Sequence, residues 1–223
     1  MKRIPEPEEL MADAAQARAY ASVDFAEARE LFLDHFTCLQ PGDFGGHALD
    51  LGCGPADIPI ALAELNPAAR IDALDGADAM LAHARSALQN RPAVAERMRL
   101  VCDLLPSNQL REQAYDAVLS NSLLHHLLDP GTLWDAVKCY ARPGAAVCVM
   151  DLLRPADPAA VDELVTRHAA DAPELLRRDF RNSLFAAYET AEVESQLAAA
   201  GLDGLQVRRI SDRHLLVSGF APA

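Results

Sequence analysis

The stretch LDLGCGPAD, Leu49 to Asp57, sets Gly52 and Gly54 between an apolar segment and one with helical apolar spacing, and brackets them with Asp50 and Asp57. Glycines at a strand-to-helix turn let a ligand approach the backbone where a Cβ would block it, and they permit positive φ. The helix start adds unpaired N–H groups and the positive end of its dipole, so the turn attracts a carboxylate or a phosphate. A dinucleotide fingerprint, G-x-G-x-x-G, would carry a third glycine where Asp57 stands, and an aspartate there opposes a pyrophosphate. Asp50 suits a ligand bearing an ammonium or another positive charge. Asp75 lies 21 residues beyond Gly54, the position from which a carboxylate accepts both hydroxyls of a ribose. The expected ligand therefore has a ribose, a carboxylate and a positive charge, and no pyrophosphate.

These residues need a frame that brings strand ends together. Strand-like runs fall at 46–51, 69–74, 98–102, 115–120 and 145–151, with helical patterns at about 57–65, 77–89 and 130–141, the last closed by Pro143-Gly144. Strands and helices in alternation imply a parallel, doubly wound sheet, because parallel neighbours need crossovers and right-handed crossovers place helices on both faces. Residues 6–39 read as two helices broken near ASVDF. Residues 155–188 form an added helical block, followed by a helix at 190–200 that stops at Gly201. The end, LQVRRISDRHLLVSGFA, reads as an antiparallel hairpin. The organisation expected is a helical lid over 1–45, an α/β core over 46–154, a helical cap over 155–188, and a helix with hairpin over 189–223 that completes a seven-stranded, mostly parallel sheet.

Composition narrows the partners. The chain has 223 residues, 51% of them hydrophobic, and a formal net charge of -13. That charge opposes the basic field a nucleic-acid binder needs, so no polynucleotide partner is expected. No apolar run approaches the ~20 residues of a membrane span, and the start resembles no signal peptide, so a cytoplasmic protein without membrane attachment is expected. The five cysteines form neither a disulfide framework nor a cluster at zinc-ligand spacing, so they read as reduced, mostly buried thiols and no metal is expected. Arg177, Arg178 and Arg181, with Arg208, Arg209 and Arg213, are the local basic exceptions; their default place is a solvated face, and one facing a pocket would hold a small anionic group.

S-adenosyl-L-methionine fits the ligand description. The chain resembles the class I S-adenosyl-L-methionine-dependent methyltransferases, most closely the small-molecule group around the ubiquinone and menaquinone biosynthesis enzymes. LDLGCGPAD resembles the first family motif, with Ala56 where many members have glycine; IDALDGADAML, LVCDLLP and YDAVLSNSLLHHLLDP resemble the next three. The resemblance implies a Rossmann-like fold and a cofactor site made of Asp50, Gly52, Cys53 and Gly54, of Asp75 and Gly76 at the ribose, and of Met80, Cys102, Asp103 and Leu104 at the adenine. Asn121 and Ser122 would lie below the methionine portion. Gln16 and Tyr20 resemble lid residues. The acceptor would be a small molecule, and the protein a monomer or homodimer.

Methyl transfer from a sulfonium is an in-line displacement that depends on positioning and on excluding water, with a base needed only for a neutral acceptor. His125 and His126 follow the fourth strand directly, and at least one is expected to serve the acceptor side as a catalytic group, against the plainer role of positioning the cofactor or capping a short helix. His214 reads as an ordinary hairpin residue. The glycine turn with Asp75 leaves two other readings, an NAD(P)-dependent oxidoreductase and a non-catalytic subunit on the same fold.

Overall fold

A computed structural model describes residues 1–6, 10, 13–23 and 25–222. Seven strands, β1 (His47–Leu51), β2 (Arg70–Asp75), β3 (Met98–Cys102), β4 (Tyr115–Asn121), β5 (Ala141–Leu152), β6 (Gln206–Arg209) and β7 (His214–Phe220), form one sheet in the order β3-β2-β1-β4-β5-β7-β6. The first five run parallel, and β7 joins antiparallel between β5 and β6. The Rossmann-like, mostly parallel sheet with a terminal antiparallel hairpin is thus present. Among the described residues, no helix is long and apolar enough to cross a membrane.

The α-helices are α1 (Ala14–Ala21), α2 (Ala26–Leu39), α3 (Asp57–Leu65), α4 (Asp78–Gln89), α5 (Pro92–Ala95), α6 (Gly131–Tyr140), α7 (Pro158–His168), α8 (Glu174–Ala186) and α9 (Thr190–Ala200). Alternation along the strands divides the core. Ala48, Ala73, Leu119, Cys148 and Met150 pack with α2, α3 and α4 on one face. Leu49, Leu51, Val118, Val147 and Val149 pack with α6 and α9 on the other. Every one of these side chains is essentially fully buried, as strands covered on both sides require. Trp134, the largest of them, keeps its indole N–H satisfied by Gln196 Oε1 at 2.9 Å.

Two expectations need correction. Pro143 and Gly144 do not end a helix: α6 stops at Tyr140, and strand geometry begins at once at Ala141, with a register shift opposite Tyr115–Ala117 that absorbs the proline and the positive φ of Gly144. The block 155–188 contains two helices, α7 and α8, and α5 carried no periodic signal because it is a single proline-started turn. Of the cysteines, only Cys53 and Cys148 are buried; Cys38 and Cys102 are exposed, since each lies at the end of an element whose apolar face is turned elsewhere.

Candidate active site

β1 has β2 on one side and β4 on the other, so the sheet changes winding direction between β1 and β4, and a crevice opens at their carboxyl ends. The glycine turn after β1 sits there. Gly52 and Gly54 have φ of +74° and +53°, and the Gly52 and Cys53 N–H groups both donate to Leu74 O, at 2.8 and 2.9 Å. The two glycines differ in what surrounds them. A Cβ on Gly52 would press on Leu123 at 3.0–3.1 Å, whereas one on Gly54 would meet nothing within 4 Å. Open space therefore lies over Gly54, and Gly52 is set by backbone and packing. Ala56 takes a left-handed φ of +68°, the position of the family glycine.

Four carboxylates converge on this crevice. Asp75 accepts from Gly54 N and Ala77 N, both at 2.8 Å, one on each oxygen, which leaves lone pairs on both for a ligand. Burial raises its pKa, against the pull of those two N–H groups and of His126. Asp50 is 2% exposed; burial and then the Asp75 charge push it up to about 7. The Cys53 thiol rises for the same reasons: burial first, then Asp50 and Asp75. Tyr20, on α1, is pushed up to about 12 by burial and by Asp57, Asp75 and Asp151, so its phenol stays protonated among these acids.

Asp50 yields a sign-definite prediction. Its folded pKa of about 7 stands above the ordinary 3.8, so the proton is held more tightly in the folded chain. Stability from this group is full below the unfolded value and is lost as pH rises through 7, on the order of 4 kcal/mol. Asp50→Asn should therefore raise the thermal midpoint of the ligand-free protein at pH 8 and leave it nearly unchanged at pH 4.5. Equal shifts at both pH values would remove Asp50 as the strained group.

α1 packs on both α4 and α8. Asp13 caps it through Ala15 N and Gln16 N at 2.9 and 2.8 Å, and Ala17, Ala77 and Met80 form a small buried cluster with Tyr20 against them. Gln16 reaches the other way, donating to Asp179 Oδ2 on α8 at 3.0 Å. The structure thus places Tyr20 and Met80 together near the crevice and turns Gln16 toward α8. Residues 7–9, 11, 12 and 24 of the expected lid lie outside the described residues.

At the end of β3, Cys102 and Leu104 are exposed. Leu104 lies against Gly76, where a Cβ would come within 2.6 Å of it and 2.8 Å of Leu10. Asp103 accepts from Ser107 Oγ at 2.7 Å and Gln109 Nε2 at 3.1 Å, which with the Leu104 N–H hold its carboxyl below the usual range. At the end of β4, Asn121 Oδ1 is buried without a hydrogen-bond partner, and Ser122 takes a φ of +57°.

The two histidines follow in a 3₁₀ turn, Leu124–His126. His125 is 2% exposed, and its Nδ1 is 2.7 Å from Oδ1 of Asp151, itself 1% exposed at the end of β5. Burial lowers the His125 pKa, but the Asp151 charge and hydrogen bond outweigh it and the net shift is upward. The His126 ring lies 4.1 Å from the His125 ring, centroid to centroid. Its Nδ1 is 2.6 Å from Glu6 Oε2, which also accepts the Ser183 hydroxyl through Oε1. Glu6, His126, Gln16, Arg178, Asp179 and Asn182 are among the walls of a cavity of about 460 Å³ between the chain start, α1 and α8. Sequence reasoning missed Glu6, which carries no motif, and Asp151, whose signal was a carboxylate inside the apolar run VCVMDL. His214 is buried, bonded to Ser211 and lowered to about 4, mainly by burial and then by Arg213. Arg178, Arg181 and Arg213 are tied to Asp179, Asp162 and Asp212 respectively, so these three are already paired.

Residues 49–147 match the family model described as a methyltransferase domain. Trans-aconitate 2-methyltransferase of Escherichia coli O139:H28 is 34% identical over 103 residues, 46% of this chain and 38% of that protein. The chain thus spans well under half the length of the curated relatives it matches. A SAM-dependent methyltransferase from Aquifex aeolicus superposes with a TM-score of 0.66 at 16% identity, over 93% of this chain and 98% of that one. Phosphoethanolamine N-methyltransferase 2 from Haemonchus contortus, solved with phosphomonomethylethanolamine and S-adenosylhomocysteine, superposes with a TM-score of 0.68 at 14% identity, over 94% and 58%. Residues 49–147 thus resemble a methyltransferase domain, and the chain as a whole shares the fold of the S-adenosyl-L-methionine-dependent methyltransferases on which it superposes.

Proposed function

We propose that the protein transfers a methyl group from S-adenosyl-L-methionine to a small-molecule acceptor bound in the cavity between α1, α8 and His126. The observation that carries this is the polar set at the crevice: a buried, partnerless Asn121 Oδ1, a buried Asp50, an Asp75 with lone pairs to spare, and open space over Gly54. An unpaired buried carbonyl oxygen costs about 1–3 kcal/mol and calls for a donor such as an ammonium group. Two neighbouring carboxylates favour the same positive charge. The residues present therefore fit this cofactor.

Asp75 would hold the ribose hydroxyls, Asp50 and Asn121 the ammonium end, and Met80, Asp103 and Leu104 the adenine. Gly52, Cys53, Gly54, Gly76, Cys102 and Ser122 would supply backbone at the cradle. Bound S-adenosyl-L-methionine supplies an electrophilic methyl group on a sulfonium, open to in-line displacement. Tyr20 and α1 exclude water from the crevice. His125, fixed by Asp151, and His126 form the wall on the acceptor side. A cavity of about 460 Å³ suits a metabolite-sized ligand. Support for a small acceptor also comes from the names of the relatives, which act on trans-aconitate and phosphoethanolamine.

Calorimetry with S-adenosyl-L-methionine, S-adenosylhomocysteine and NAD, followed by a metabolite screen for methyl acceptance, tests the proposal. Binding of the first two in the micromolar range without NAD binding is expected. Binding of NAD alone would replace this reading with an oxidoreductase.

A further inference from the structure

We propose that Glu6, His125 and His126 form a site for one divalent transition-metal ion at the wall of the acceptor cavity. A carboxylate oxygen and one nitrogen from each ring lie within 4.8 Å of one another, brought together from the chain start and the turn after β4. Ligand atoms around one ion with bonds near ~2.1 Å stand about 3.4 Å apart in a tetrahedron and up to about 4.2 Å apart across an octahedron. Modest side-chain rotation closes the set onto such an ion.

Two further observations are in keeping with a bound cation at this cluster. His126 Nδ1 is buried and paired with Glu6 Oε2 at 2.6 Å, a contact that falls outside ordinary hydrogen-bond geometry and sets the two ligand atoms side by side. Parting them to about 3 Å or more would let one cation be bound by both. On the other ring, the buried Asp151 carboxylate takes the Nδ1 side of His125 at 2.7 Å. That bond fixes the tautomer and leaves the lone pair on Nε2, the outer-shell arrangement in which a metal-ligating histidine donates its other N–H to a carboxylate.

Two imidazoles and one carboxylate suit zinc, iron(II), manganese(II) or cobalt(II) and leave coordination positions open. Glu6 and His126 line the cavity, so an open position there would meet an oxygen or nitrogen of the acceptor. That consequence rests on the proposed function. The binding of the ion does not, and it is measured without cofactor or acceptor, so failure of one is distinguishable from failure of the other.

The test is titration of chelator-treated protein with Co²⁺, followed by visible absorption and by displacement with Zn²⁺. One equivalent should bind, with ligand-field bands of nitrogen and oxygen donors and no sulfur-to-cobalt charge transfer. Glu6→Gln and His126→Asn should each weaken binding more than about a hundredfold, and Asp151→Asn by about 10–100-fold. Far-ultraviolet circular dichroism and thermal melting verify the folding of each variant, and Glu6→Gln, on the peripheral chain start, is the variant least tied to the core. Absence of stoichiometric binding would overturn the site. So would thiolate bands, or cobalt affinity that the folded Glu6→Gln and His126→Asn variants leave unchanged, either of which would place the ion elsewhere.

Discussion

Glutamine in place of His125 should lower turnover on the methyl acceptor by about 10²–10⁴ while changing S-adenosyl-L-methionine affinity little. The ring is buried, its Nδ1 is engaged by a buried carboxylate, and its neighbour lines the cavity. Glutamine approximates the size and hydrogen-bonding reach of imidazole but offers no basic nitrogen. A loss confined to turnover places the residue on the acceptor side. A loss of cofactor affinity with unaltered saturated turnover would instead make it a positioning group for the cofactor. The same comparison applied to His126→Gln identifies which ring matters more. Full turnover by both single variants would refute the assignment and turn attention to Asp179, another carboxylate that lines the cavity.

Asp75→Ala should weaken S-adenosyl-L-methionine and S-adenosylhomocysteine by at least about tenfold, because two charge-assisted hydrogen bonds to the ribose are lost, each worth about 1.5–3 kcal/mol. The geometry adds a second contribution. The carboxylate also ties Gly54 N to Ala77 N, at 2.8 Å each, so it holds the glycine turn against the start of α4. Alanine frees both N–H groups and loosens the turn, whereas Asp75→Asn keeps one carbonyl oxygen and should fall between alanine and wild type. Unchanged calorimetric affinity in a folded Asp75→Ala variant would sink the ribose assignment.

The parts of the site legible in the sequence are those that local chemistry dictates. A strand end, a glycine pair and a carboxylate 21 residues on are positions along one chain direction, and the alternation of strands and helices implies the parallel sheet, whereas the strand order comes from the structure. Asp50, Gly52, Gly54, Asp75 and Asn121 therefore lie together where that reasoning put them. Glu6 could not be found this way, because it comes from an irregular segment held by contacts distant in sequence, among them Ser183 and His126. Asp151 was visible only as an anomaly in an apolar strand, and its partner was set by sheet order rather than by spacing. Gln16 shows the converse limit: helix α1 was foreseen, but which of its faces meets α4 and which meets α8 depends on three-dimensional packing.

One guanidinium gives the molecule a mechanical property. Arg3 donates to the carbonyls of Ala186, His125 and Leu127 at 2.6, 3.0 and 3.2 Å, and stacks over the Tyr188 ring at 4.2 Å. A single side chain thereby clamps the end of α8 to the turn that carries the imidazoles. Any swing of α8 that widens the entrance must strain or release this clamp, and with it the backbone behind His125. The end of α8 and the turn that carries the imidazoles therefore share one fastening, and loss of the Arg3 side chain would release both.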